Sequence, residues 1–94
     1  MEKFEIIYEP AEISVNAENI IDAFMENGIQ NGYYEIKGEY STREEALTSL
    51  KKYRCTASIS GGIRTAYIYY VQESFLNEYD EWEVADGLDF AEME

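Results

Sequence analysis

Apolar and polar residues alternate from the start of the chain, placing Phe4, Ile6 and Tyr8 on one side of a predicted strand from Lys3 to Glu9. Pro10 has no backbone N–H and is expected to end that strand's pairing. The period then lengthens. Ala17, Ile20, Ile21, Phe24 and Met25 recur at intervals of three and four residues, which predicts an amphipathic helix from Ala17 to Asn27, with Asn16 as its cap and Gly28 as a left-handed end. After a Gly28 to Gly32 loop, Tyr33 to Tyr40 reads as a second strand or an irregular edge segment, because Gly32 and Gly38 flank it. Ser41 with Glu44, or Thr42 with Glu45, makes a capping-box pattern ahead of a second helix that ends near Lys52. Ala46, Leu47, Leu50 and Tyr53 form its apolar stripe, and Lys51 and Lys52 sit where cations complement the helix dipole.

Arg54 to Ser60 alternates again and is separated from a strand beginning at Ile63 by Gly61-Gly62, the clearest hairpin signal in the chain. A two-residue loop puts Ser60 opposite Ile63, Ala57 opposite Ala66 and Cys55 opposite Ile68, with small side chains leaving room for helices. The reverse face pairs Thr56 with Tyr67 and Arg54 with Tyr69. Beyond Phe75, a turn near Asn77 to Asp80 leads to a short strand from Glu81 to Ala85, with Trp82 and Val84 inward and Glu81 and Glu83 outward. Asp86 then caps a short terminal helix containing Leu88, Phe90 and Met93. The order βαβαβββα gives an α+β fold, one domain over residues 1–94, with a mainly antiparallel sheet, two helices on one face and a short C-terminal helix.

Composition narrows the chemistry. Nine tyrosines, four phenylalanines and one tryptophan set the chain apart from disordered acidic sequences, so it is expected to fold. Cys55 is the only cysteine and histidine is absent, which excludes an intramolecular disulfide, a CxxC pair and every histidine-dependent triad or metal site within the chain. Gly61-Gly62 lacks the Lys-Ser/Thr of a phosphate loop, and no Asp-headed loop has the glycine and glutamate spacing of an EF-hand. The expectation is a non-enzymatic protein with no catalytic residue, cofactor or metal site. Ala66-Tyr67-Ile68-Tyr69-Tyr70 resembles the second half of the RNP1 strand of RNA-recognition domains, but Ile63, Arg64 and Thr65 replace its basic, glycine and aromatic positions. These tyrosines are therefore read as sheet core or interface.

Twenty Asp and Glu against seven Lys and Arg leave a net charge of −13, which repels phosphate backbones and anionic lipid surfaces. Direct nucleic-acid or membrane binding is not expected. Without a basic segment followed by an apolar run at its start, the chain is expected to be cytoplasmic, in the host cytoplasm if phage-encoded. All seven basic residues lie at or before Arg64, so Thr65 to Glu94 carries acids alone. The densest run is Glu78, Tyr79, Asp80, Glu81, Trp82 and Glu83; fully extended at ~3.3 Å per residue it presents one carboxylate per ~5 Å, against one phosphate per ~3.4 Å along a DNA strand.

Such a run serves solubility in the simplest reading. The sharper expectation is a partner-binding surface of Glu78, Tyr79, Asp80, Glu81, Trp82, Glu83, Asp86 and Asp89 that imitates DNA and inhibits a basic nucleic-acid-binding protein. A CRISPR effector or restriction enzyme suits that role, making the chain an inhibitor of the anti-CRISPR or anti-restriction type from a phage or mobile element. The alternative is a structural or regulatory interaction module, including a homodimer built on the aromatic strand from Ile63 to Val71.

Overall fold

The longest strand of the computed structural model, which describes residues 1–27, 33–85 and 87–94, sets the dimensions of the molecule. This strand, β4, spans Ile63–Leu76; at ~3.3 Å per residue its 14 residues reach ~46 Å, and the long axis of the protein measures 46 Å. β1 (Glu2–Ile13) runs antiparallel beside it without a register shift, from Glu2 opposite Phe75 to Ile13 opposite Arg64. Both strands carry apolar residues at odd and even positions near their centres. Ile6, Ile7, Ile68 and Val71 are all fully buried, so the sheet is covered on both sides.

Pro10 does not end β1. The Met1 carbonyl accepts a 3.1 Å hydrogen bond from the Leu76 N–H, so the odd-numbered residues of β1 exchange bonds with β4 and the even-numbered ones point their nitrogens the other way. The other neighbour is β2 (Glu35–Tyr40), whose pairing with β1 stops at Tyr8 opposite Glu35. Pro10 therefore directs its donor-free nitrogen to an edge that needs no donor. A register shift between Ile6 and Ile7 leaves Lys37 as the extra residue of β2.

The first helix, α1 (Ile20–Asn27), is shorter than its apolar period predicts and is capped by Asn19 rather than Asn16: Asn19 Oδ1 accepts from the Asp22 N–H at 3.0 Å. Arg64 holds the preceding loop by donating to the Ala17 carbonyl at 2.8 Å. The expected Gly28 to Gly32 loop lies outside the described residues. The second helix, α2 (Arg43–Leu50), uses Thr42 as its cap, with Oγ1 accepting from the Glu45 N–H at 3.2 Å and donating to Glu45 Oε1 at 3.0 Å. At its far end, Arg54 donates to the Lys51 and Tyr53 carbonyls. Arg54, expected opposite Tyr69, thus caps the helix, and Tyr53 stacks on Tyr69 instead at 4.5 Å between centroids.

The two helices lie on opposite faces rather than one. Phe24 of α1 packs against Tyr70, whereas Tyr53 just after α2 packs on Tyr69, and adjacent strand residues point to opposite sides. The α1 face thus carries Glu5, Ile7, Glu9, Ile68, Tyr70 and Gln72, and the α2 face carries Phe4, Ile6, Tyr8, Tyr69, Val71 and Glu73.

The sheet order is β2-β1-β4-β3, and the far edge of β4 is shared by three segments. β3 (Thr56–Ser60) takes the first part through the expected hairpin, with Ala57 opposite Ala66 and both turn glycines at positive φ, 58° and 80°. Ala57 is exposed, so no helix covers that end. β5 (Trp82–Val84) pairs with Ser74 to Leu76. Between them the expected C-terminal helix is replaced by β6 (Asp89–Phe90), paired with Tyr70 and Val71. The open β4 edge there offers backbone partners, and Leu88-Asp89-Phe90 also fits a period of two. Phe90 reaches Phe24 and Tyr70 on the α1 face, while Asp89 turns to the α2 face. Cys55, buried at the junction, receives the Tyr69 N–H at 3.4 Å on Sγ; its own N–H donates to the Glu92 carbonyl and its carbonyl accepts from the Glu94 N–H, both at 2.9 Å.

Phe24 joins α1 to both the sheet and β6, with ring centroids 5.9 Å from Tyr70 and 6.2 Å from Phe90. Phe24→Ala is expected to lower stability by about 3–5 kcal/mol in urea denaturation. A loss below about 1 kcal/mol, typical of a surface position, would contradict this packing.

Candidate functional site

The β4–β5 hairpin carries the acidic run, and its turn is built by Asn77. Asn77 Oδ1 accepts from the N–H groups of Tyr79 at 2.8 Å and Glu81 at 3.0 Å, and its carbonyl accepts from the Asp80 N–H at 3.1 Å. Asp80 adopts a left-handed φ of 59°, a conformation that Asp tolerates better than most residues. Glu78, Tyr79 and Asp80 form the exposed tip, with Tyr79 74% exposed.

Past the tip, alternation divides the run. Glu83 stands opposite Phe75, which on its other side faces Glu2, so Glu2 and Glu83 flank Phe75 on the α2 face. Glu81 shares that face two residues away, and Glu73 and Asp89 continue it along β4 and β6. Trp82 and Val84 fall on the α1 face. They are 44% and 57% exposed rather than inward, because no helix reaches this end, and Lys3 Nζ lies 4.3 Å from the Trp82 ring centroid. Trp82 is thereby separated from the acids it adjoins in sequence. Asp86 lies outside the described residues.

Arg43 divides the acidic face. Its guanidinium donates to Glu73 Oε2 at 3.0 Å and to Asp89 Oδ2, and it lies 5.7 Å from the Phe4 ring centroid. The Asp89 end is therefore partly neutralised, one cation standing against two carboxylates. Among the described residues, Glu2, Glu78, Asp80, Glu81 and Glu83 make no ion pair. Glu2 and Glu73 are absent from the sequence-derived surface. Glu73 precedes the hairpin turn and is placed by its register, but Glu2 joins only through the pairing of the two longest strands.

A different carboxylate occupies the α1 face. Glu9 is 3% exposed; its Oε1 accepts from the Tyr70 hydroxyl at 2.9 Å, and its Oε2 is buried with no hydrogen-bond partner among the described residues. Leaving a polar atom so placed costs roughly 1–3 kcal/mol, more when charged. Burial pushes the Glu9 carboxyl above the ordinary glutamate range, an effect the Tyr70 hydrogen bond only partly offsets. Burial and the adjoining carboxylate both push the Tyr70 hydroxyl upward. The pair was not legible in sequence, because Glu9 and Tyr70 are 61 residues apart and meet only through register.

Glu9 holds its proton to higher pH in the folded chain than in the unfolded one. Its contribution to stability is therefore full below the ordinary glutamate range and lost as pH rises through the raised value. The groups facing it are Tyr70 and Gln72 from β4 and Tyr34, with Glu5 further along the same side of β1. Glu9→Gln, which keeps an acceptor for Tyr70, is expected to remove this decline and to be more stable than wild type at neutral pH in parallel denaturation series. Identical pH profiles for the two proteins would contradict the assignment.

Among the described residues no group of three or more histidine, cysteine or acidic side chains is arranged to hold a metal ion, and no helix is long and apolar enough to cross a membrane. Comparison with family models, with curated proteins and with solved structures finds no match, so the acidic hairpin end and the Glu9 pair are what the chain itself offers a functional reading.

Proposed function

We propose that this is a small non-enzymatic inhibitor that presents the acidic end of its sheet to the basic groove of a nucleic-acid-processing protein, in the manner of DNA mimics of the anti-CRISPR or anti-restriction type. The observation that carries the reading is the set of carboxylates without ion pairs at the hairpin end: Glu81, Glu83 and Glu2 on one face, with Glu78 and Asp80 at the tip. Residues two apart on a strand face are ~6.6 Å apart at ~3.3 Å per residue, close to every second phosphate at ~3.4 Å axial spacing. Lysine and arginine of the partner supply the counter-charge that these carboxylates lack, through charge-assisted hydrogen bonds. Tyr79 at the tip adds an apolar or cation–π contact. No direct nucleic-acid or membrane contact is part of this reading.

A second reading, a structural or regulatory module that dimerises, is favoured by the open β3 edge. Ile59 and Ile63 are 63% and 52% exposed there.

Calorimetry with candidate CRISPR effectors and restriction nucleases tests the first reading, using wild type and the combined variant Glu78→Gln, Asp80→Asn, Glu81→Gln and Glu83→Gln. Wild-type affinity is expected to fall steeply with added salt. The folded variant is expected to bind at least about tenfold more weakly, which corresponds to about 1.4 kcal/mol. Undiminished binding would remove this surface from the mechanism, and a complex that leaves DNA or guide-RNA engagement intact would reject mimicry. Sedimentation over a concentration series reads the second: a strict monomer contradicts it.

A further inference from the structure

Beside Glu9 lies a cavity of about 240 Å³ lined by Ile7, Glu9, Tyr34, Tyr70 and Gln72. Among the described residues its lining holds no cationic side chain, and Oε2 of Glu9 is buried without a partner. Buried polar atoms in folded proteins are nearly always paired, so an unpaired acceptor on a residue that lines a cavity marks a group that a ligand satisfies once the carboxyl turns Oε2 toward the cavity. We infer that this cavity binds the ammonium head of an alkylamine, supplied either by a free amine or by a lysine side chain of another protein.

The donor and acceptor inventory selects ammonium over guanidinium. An arginine-type fork engages both oxygens of a carboxylate, but Glu9 Oε1 already accepts from Tyr70. An ammonium is a compact charge with three donors. It needs one carboxylate oxygen, Oε2, and finds further acceptors in the Gln72 amide oxygen and the tyrosine hydroxyls. The ring of Tyr34 offers cation–π attraction, and Ile7 gives the alkyl stem an apolar wall. The net charge of −13 raises the local concentration of cations around the molecule. Glu9 lies on the α1 face while Glu2, Glu81 and Glu83 lie on the α2 face, so the site is independent of the proposed inhibitory surface.

Nitrogen–proton correlation NMR of the whole chain, titrated at neutral pH with n-butylammonium, tests the assignment. Saturable shifts are expected at the amides of Ile7, Glu9, Tyr70 and Gln72. Affinity is expected to fall at least about tenfold in Glu9→Gln, which loses the charge but keeps the shape, and to be unchanged in Glu44→Gln, an exposed position of α2. Gln72→Ala gives a second, independent reading, with a severalfold loss expected. The absence of saturable shifts, undiminished affinity in the Glu9→Gln or Gln72→Ala proteins, the same shifts with potassium chloride, or tighter binding of n-butylguanidinium would each overturn the proposal. Nα-acetyl-lysine-N-methylamide separates the two sources. Binding as tight as n-butylammonium supports a lysine side chain, and binding of n-butylammonium alone supports a free amine.

Discussion

The antiparallel pairing of β1 with β4 is the constraint on which the rest of the structure depends. It joins segments about sixty residues apart in register, from Glu2 opposite Phe75 to Ile13 opposite Arg64, and fixes which side chains share a face. Because strand faces have a period of two, a slip of one residue would turn Ile6 to the side of Tyr70 and Ile7 to the side of Val71, and would separate Glu9 from its hydroxyl partner. Burial on both faces makes such a slip expensive. It also explains the division of the helices: each face exposes an apolar patch that one short amphipathic helix can cover, α1 through Phe24 and α2 through Ala46 and Leu50.

A strand of this length creates an edge that one neighbour cannot fill. β3, β6 and β5 cover successive parts of β4, and Cys55 closes the junction where β3 meets the C-terminal segment. The acidic hairpin is the last of these patches, and its position beyond the helices leaves its side chains in water. That exposure leaves Glu81 and Glu83 in water and without a cation, which is the basis of the inhibitory function proposed for them. Arg43 limits the surface, since its bonds to Glu73 and Asp89 draw those acids out of the set without ion pairs.

Local chemistry was legible in the sequence and long-range register was not. Gly61-Gly62 announced its hairpin because the turn requires two positive φ angles, and the register Ala57 opposite Ala66 followed from the loop length. Thr42 with Glu45 announced α2 in the same local way. Pro10 misled because its cost depends on which edge its nitrogen faces, a property of β2's length rather than of the proline. The tail misled because Leu88, Phe90 and Met93 suit a helix until a free β4 edge is known to lie beside them. Of the acidic site, the run and its turn were readable, but its division between two faces and the arrival of Glu2 and Arg43 depend on strands far away in sequence. Glu9 gave no local signal, since one glutamate in an alternating strand reads as its solvent side.

Native-state hydrogen exchange across β1 tests the β1–β4 register most directly. The Ala11 and Ile13 amides point to β4 and are expected to exchange only with global unfolding, whereas the Glu12 amide between them faces the edge that β2 has left and exchanges much faster. Slow exchange at Glu12 with fast exchange at Ala11 and Ile13 would show the opposite register, and would contradict both the acidic face and the Glu9 cavity.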